Sequence, residues 1–228
     1  MMEVKAVIFD LDGTLVRSKH DYAAMTRRIT DVFRGLGFSE EFLGQRRKVW
    51  EITRGGVESI EKLGFNHERS LEIQLMVNKA LNDAELKAIE TVEPMPNVHH
   101  VLNEIRERGM GMGVATRSGR PYAEECLKVT SLSEFFPVVL ARDEVEHPKP
   151  DPRHLLEVVE ALKVDPENVV YVGDTTTDFT TAKAANIDFL GFPTNEEWGK
   201  RLVEAGCEHL IADLSEILEV IEGGLPLN

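Results

Sequence analysis

The sequence predicts an α/β fold, a parallel-sheet core with an all-helical cap inserted after the first strand. Three observations carry this. Short apolar runs rich in β-branched residues alternate with amphipathic stretches over the second half of the chain, the pattern of a parallel sheet covered on both faces. Between the first such run and the rest lies a block whose apolar residues recur at helical spacing. The charge changes with the pattern: residues 15–90 carry 13 Lys+Arg against 12 Asp+Glu, and the remainder 13 against 28. The expected division is a core of residues 1–14 and 92–228 and a cap of residues 15–91.

Lys5-Ala6-Val7-Ile8-Phe9 reads as a buried strand, followed by the turn signal Asp12-Gly13. Tyr22, Met25, Ile29, Val32, Phe33 and Leu36 then mark one face of a helix that Gly37 ends. Ser39 is the expected N-cap of the next helix, and Gly55-Gly56 is expected to break it. Helical patterns resume from Val57 to Leu63 and from Glu68 to Ala88. Thr91 to Pro96 reads as a linker, because Pro94 and Pro96 resist helix. Asn97 is the expected cap of a helix presenting Val98, Val101, Leu102 and Ile105, closed by Gly109. Further strands are expected at Met112–Ala115, Pro137–Leu140, Val169–Val172, Ile187–Phe192 and His209–Ile211. Helices are expected from about Pro121, over Arg153–Leu162 and Asp178–Ala185, from near Glu196, and over Leu214–Ile221.

With 42% hydrophobic and 29% charged residues, the chain reads as globular rather than disordered. No apolar stretch approaches the roughly 20 residues that span a bilayer, so no membrane partner is expected. Met1 to Lys5 leads into the first strand without the apolar region of a signal peptide, and a cytoplasmic setting is expected. Cys126 and Cys207 fit two thiols better than a disulfide. The net charge of −14 argues against nucleic acid as a partner. A small phosphorylated metabolite is compatible, since a site needs only local positive charge. Both a monomer and a homodimer are compatible as well.

In open parallel sheets, ligands bind beyond the carboxyl ends of the strands. There the first strand delivers Asp10-Leu11-Asp12-Gly13-Thr14 and the second Thr116-Arg117-Ser118. The loop after the third carries Lys149-Pro150, and the fourth delivers Gly173-Asp174 with Asp178. Carboxylates, one lysine and several hydroxyls suit an oxygen-ligated hard cation such as Mg²⁺ beside a phosphate.

These clusters, in this order and with a helical block between the first and second, resemble the four motifs of the haloacid-dehalogenase-like (HAD) superfamily of phosphohydrolases. They are similar to its helical-cap subgroup, which includes phosphoglycolate-phosphatase-like enzymes. The resemblance covers essentially the whole chain. It implies a Rossmann-like core, a Mg²⁺ cofactor and a phosphoric monoester hydrolase acting through an aspartyl-phosphate.

The chemistry of the residues agrees with that implication. Asp10 is the expected nucleophile. If the chain stays extended, Asp12 points the same way and serves as general acid and base. Gly13 is expected to let the chain turn and bring backbone N–H groups to the phosphate. Asp174, the Asp10 carboxylate and the Asp12 carbonyl would hold Mg²⁺, with Asp178 as an outer ligand through water. Thr116 would donate to a phosphoryl oxygen, and Lys149 would neutralise the charge that shifts in the transition state. Arg117 and Arg54 are further candidates for substrate contact. The plain alternatives are a helix-capping role for Asp178, a surface position for Lys149 and solvated arginines.

Two features depart from the family pattern. Pro148 stands where glycine is frequent before the lysine, and Arg117-Ser118 differs from a typical phosphoglycolate phosphatase, which leaves that substrate open. The competing functions are a phosphosugar mutase with the same catalytic residues, a metal-free dehalogenase, and a non-catalytic binding or regulatory relative. Asp12 and the intact acidic cluster argue against the second, and the absence of a lost motif residue against the third.

Overall fold

The computed structural model describes residues 3–44, 49–62 and 66–223. The chain forms two compact units, Met1–Ser18 with Thr91–Asn228, and Lys19–Glu90. The strands described in the first unit are β1 (Ala6–Phe9), β2 (Val16–Arg17), β3 (Glu93–Pro94), β4 (Gly111–Ala115), β5 (Val138–Leu140), β6 (Val169–Gly173) and β7 (Asp188–Gly191). Five of them make a parallel sheet in the order β5-β4-β1-β6-β7. Phe9, at the end of the central strand, is in register with Val114 on one side and Val172 on the other.

Every residue of β1 and β6 is buried, which is why these strands read as continuous apolar runs. Ala6 and Ile8 join a cluster with Leu155 and Val158 of one helix and Ala182 of another. By strand alternation Val7 and Phe9 face the opposite side, where Phe9 meets Phe136 edge-on at 6.0 Å. Gly113 lets a helix approach the sheet, since a Cβ there would stand 2.7 Å from Val158 Cγ1. After β1 the chain builds β4 and β5 to one side, then crosses to build β6 and β7 on the other. The order therefore reverses at β1, and in sheets of this kind ligands bind outside the carboxyl end of the strand where the order reverses.

The second unit contains α1 (Tyr22–Gly35), α2 (Glu40–Gly44), α3 (Val49–Lys62) and α4 (His67–Glu85). Met25, Ile29 and Phe33 of α1 pack with Ile52 and Ile60 of α3 and with Ile73, Val77 and Leu81 of α4. Asp21 and Asn66 cap α1 and α4 by accepting from the N–H groups of Ala24 and Arg69 at 2.8 and 2.9 Å. Ser39 caps α2 by accepting from Phe42 N–H at 3.2 Å.

Several expectations change. α3 runs straight through Gly55-Gly56 instead of breaking there. A Cβ on Gly56 would lie 2.1 Å from Phe33 Cζ, so the glycine admits the aromatic ring between helices. That packing outweighs a helix penalty of about 1 kcal/mol per glycine. The Leu63 end of the pattern lies outside the described residues. Thr91 to Pro96 is more than a linker: β3 pairs antiparallel with β2, and the first join between units falls at 18/19 because Val16 and Arg17 belong to this ribbon. Asn97 precedes its helix in a left-handed conformation without capping it; its side-chain amide donates to Asp213 at 3.0 and 2.9 Å. The last expected strand is a single parallel bridge between Gly191 and Leu210. Both cysteines are buried thiols. Among the described residues, no helix is long and apolar enough to cross a membrane.

Candidate active site

The remaining helices belong to the core unit: α5 (Val98–Glu107), α6 (Arg120–Val129), α7 (Pro152–Leu162), α8 (Thr176–Ala185), α9 (Glu196–Glu204) and α10 (Glu216–Gly223). Parallel strands must be joined through such helices, so each strand-to-helix turn lies at the carboxyl edge of the sheet. Asp10 follows β1, Thr116 follows β4, and Asp174 follows β6. Lys149 sits in the loop between β5 and α7.

These side chains are buried: Asp10 is 7% exposed, Lys149 4%, Asp174 6% and Asp178 2%. Lys149 is therefore not a surface lysine. Its ammonium donates to Asp10 Oδ1 at 2.7 Å, Asp178 Oδ1 at 2.6 Å and the Tyr171 hydroxyl at 2.7 Å. Three donors thus meet three acceptors. Tyr171 donates in turn to Asp178 Oδ1 at 2.8 Å. Asp178 also closes a capping box at the start of α8, with its Oδ2 accepting from Thr175 N–H at 3.1 Å and Thr175 Oγ1 at 2.5 Å. It is at once a helix cap and a member of the cluster.

The shared lysine divides the carboxyls. Burial raises Asp10 to about 7, against the pull of Lys149 and with help from the charges of Asp178 and Asp12. Burial likewise lifts Asp174 well above the usual carboxylate range, reinforced by Asp178 and Asp10. Burial opposes ionisation of Asp178 too, but Lys149, Thr175 and Tyr171 overcome it and hold that carboxyl low. For Lys149, desolvation is outweighed by the two carboxylates, so its pKa rises and the ammonium stays charged.

The cluster suits a cation. Oxygens of Asp10, Asp174 and Asp178 lie within 4.8 Å of one another. Asp174 Oδ1 is buried without a hydrogen-bond partner, and an ionised oxygen in that position calls for one. Such an all-carboxylate donor set fits a hard divalent ion. Gly13, at φ +90°, makes room: a Cβ there would fall 2.3 Å from Asp174 Oδ2. Its own N–H donates to Val16 O at 2.7 Å, which closes the turn.

Asp12 differs from its expected setting. β1 ends at Phe9 and the chain bends at Leu11, so strand alternation does not orient it. Hydroxyls reach it instead: Ser18 and Tyr122 donate to Oδ1, and Ser118 to Oδ2, each at 2.7 Å. Thr116 is buried, and its Oγ1 accepts from Ser118 N–H at 3.0 Å. Arg117 extends to Thr177 Oγ1 at 3.4 Å. The side chain of Arg54 lies outside the described residues.

Residue-by-residue reading of the sequence missed Tyr171, Tyr122, Ser18 and His154, and brought Ser118 to the site without a role. One signal was available for Tyr171: a phenol in the otherwise aliphatic run Val169-Val170-Tyr171-Val172 needs a buried partner. His154 braces the lysine loop. Its Nδ1 accepts from Lys149 N–H at 3.2 Å, and its Nε2 lies 3.1 Å from Leu140 O, which also accepts from Thr116 N–H at 3.0 Å. Burial first, then the charge of Lys149, lower its pKa to about 4, so the ring is neutral at neutral pH.

A parallel sheet whose switch point carries buried carboxylates and a lysine defines a class of α/β enzyme, and comparison with known proteins places it. The sequence profile of the haloacid dehalogenase-like hydrolases matches residues 7–192, and the chain belongs to that family. Phosphoglycolate phosphatase of Escherichia coli (strain K12) is 24% identical over 239 residues, covering 98% of this chain and 94% of its own. A putative haloacid dehalogenase-like hydrolase from Bacteroides fragilis shares the fold with a TM-score of 0.64 at 21% identity, over 94% of this chain and 100% of that one. A putative β-phosphoglucomutase from Thermotoga maritima superposes with a TM-score of 0.63 at 27% identity, over 97% and 100% of the two chains.

Proposed function

We propose that this protein is a Mg²⁺-dependent phosphatase that hydrolyses a small phosphomonoester through a phosphoryl group carried on Asp10. One observation carries the reading: buried Asp10, bonded to Lys149, stands with Asp174 and Asp178 in a compact acidic cluster in which Asp174 Oδ1 lacks a partner.

In the first step an Asp10 oxygen forms a bond to phosphorus as the ester P–O bond breaks, and Asp12 gives a proton to the departing alkoxide. In the second, water attacks phosphorus and gives its proton to Asp12, the bond to Asp10 breaks, and phosphate leaves. Both aspartates then regain their starting states. Lys149 offsets negative charge on Asp10 and on the phosphoryl oxygens. Thr116 already accepts from Ser118 N–H, so its own O–H is left to donate to a phosphoryl oxygen. Asp10, Asp174 and the Asp12 carbonyl would hold Mg²⁺, with Asp178 as an outer ligand. The ion, when bound, masks repulsion between the carboxylates and an anionic ester.

The test is phosphate release from a panel of small phosphomonoesters, with Mg²⁺ and with chelator, beginning with phosphoglycolate because relatives bear that name. Mg²⁺-dependent release is expected, and no release from any ester would overturn the reading. The likeness to a putative β-phosphoglucomutase supports a second reading, a phosphosugar mutase. Isomerisation of a sugar monophosphate, restored by traces of its bisphosphate, would favour it.

A further inference from the structure

We propose that Ser118 and Tyr122 are positioning residues for Asp12, fixing the carboxyl that protonates the departing alkoxide. This rests on the reading of Asp12 as acid and base. Because the chain bends at Leu11, the backbone alone does not aim the Asp12 side chain. A carboxyl held by one hydrogen bond still swings about its Cβ–Cγ bond. Asp12 is held on both oxygens, by the Tyr122 phenol at Oδ1 and the Ser118 hydroxyl at Oδ2, each at 2.7 Å. These bonds set the plane of the group.

The two donors are themselves fixed. Tyr122 is wholly buried in the first turn of α6. Ser118 N–H donates to Thr116 Oγ1, which locks the loop that carries the Ser118 hydroxyl. The Ser18 hydroxyl adds a second donor at Oδ1.

The chemistry of the neighbours suits the task. Asp12 must alternate between carboxylate and carboxylic acid, and a hydroxyl can donate to the first and accept from the second. An ammonium, such as the one that meets Asp10 and Asp178, offers hydrogens alone and favours the ionised form.

Protonation matters most for a poor leaving group, and this gives the test. The Mg²⁺-loaded enzyme would be assayed with p-nitrophenyl phosphate, whose leaving group departs unprotonated, and with the best alkyl phosphate of the panel. The quantity compared is kcat/KM, which spans only steps up to the first irreversible one. General acid catalysis contributes about 10²–10⁴-fold, so loosening the acid should cost about tenfold or more on the alkyl ester. Tyr122→Phe and Ser118→Ala are expected to show that loss, with no more than about a twofold loss on the aryl ester. Ser118→Thr, which keeps the hydroxyl, should restore the alkyl activity. Equal loss on both esters, or none on either, would overturn the proposal. Asp12→Asn separates the two levels. If it is selective against the alkyl ester while Tyr122→Phe and Ser118→Ala are not, only the positioning role falls. If it is not selective, the acid role of Asp12 falls and the proposal with it.

Discussion

In the helical unit, the cluster that joins Met25, Phe33, Ile60, Ile73 and Leu81 is apolar, whereas the carboxyl end of the sheet buries Asp10, Thr116, Lys149, His154, Asp174 and Asp178. The first arrangement stabilises the fold directly, at about 1.5–3 kcal/mol for each large apolar side chain removed from water. The second does not, because desolvation of a buried ion pair commonly cancels its attraction. One end of the core unit is thus kept polar at the expense of stability, while the helical unit holds together by apolar packing. Substitutions should separate the two: polar changes in the core unit should remove chemistry, and apolar changes in the helical unit should remove stability.

The largest expected effect is on turnover. Asp10→Asn should abolish phosphate release while circular dichroism and Tm show a folded protein; comparable turnover would remove Asp10 as nucleophile. Next, Asp174→Ala should weaken Mg²⁺ binding by at least about tenfold, as measured by calorimetric titration, because it deletes a carboxylate whose Oδ1 has no other partner. An unchanged titration would exclude it as a ligand.

In the helical unit, Phe33→Ala should cost about 3–5 kcal/mol by denaturant unfolding, as the ring is fully buried and lies against Phe38 at 5.1 Å. A loss below about 1 kcal/mol would break the contrast between units. Gly56→Ala should cost less, about 1–3 kcal/mol, since the added methyl would overlap the Phe33 ring. If it stabilises instead, the close approach of α3 to α1 is wrong.

A further effect is a dependence of stability on pH. Asp10 titrates at about 7 in the fold against 3.8 when free, so the folded state binds its proton more tightly. A raised carboxyl pKa favours the folded state at low pH, and that stabilisation is lost as pH rises from about 4 to about 7. In chelator, wild-type Tm should therefore fall relative to Asp10→Asn across this window. A constant difference would mean that Asp10 ionises freely.

Much of the fold could be read from the chain because its signals are local. The aliphatic runs of β1 and β6, the helical spacing from Met25 to Phe33 and the cap at Ser39 each need only a few neighbouring residues. Local signals misled where a distant partner decides. Gly56 reads as a helix breaker until Phe33 fills the space beside it. Pro94 reads as linker until Val16 pairs with it.

The same division runs through the candidate site. Which stretches arrive at the carboxyl ends of the strands is legible in the chain, because alternating strands and helices force every strand-to-helix turn to that edge. What each group touches depends on packing between distant parts of the chain. Lys149 meets Asp10 and Asp178, 139 and 29 residues away, and Asp12 meets hydroxyls 106 and 110 residues away. Burial and close charges, which lift Asp10 and Asp174 and hold Asp178 low, come from these distant pairings, and no run of neighbouring residues encodes them.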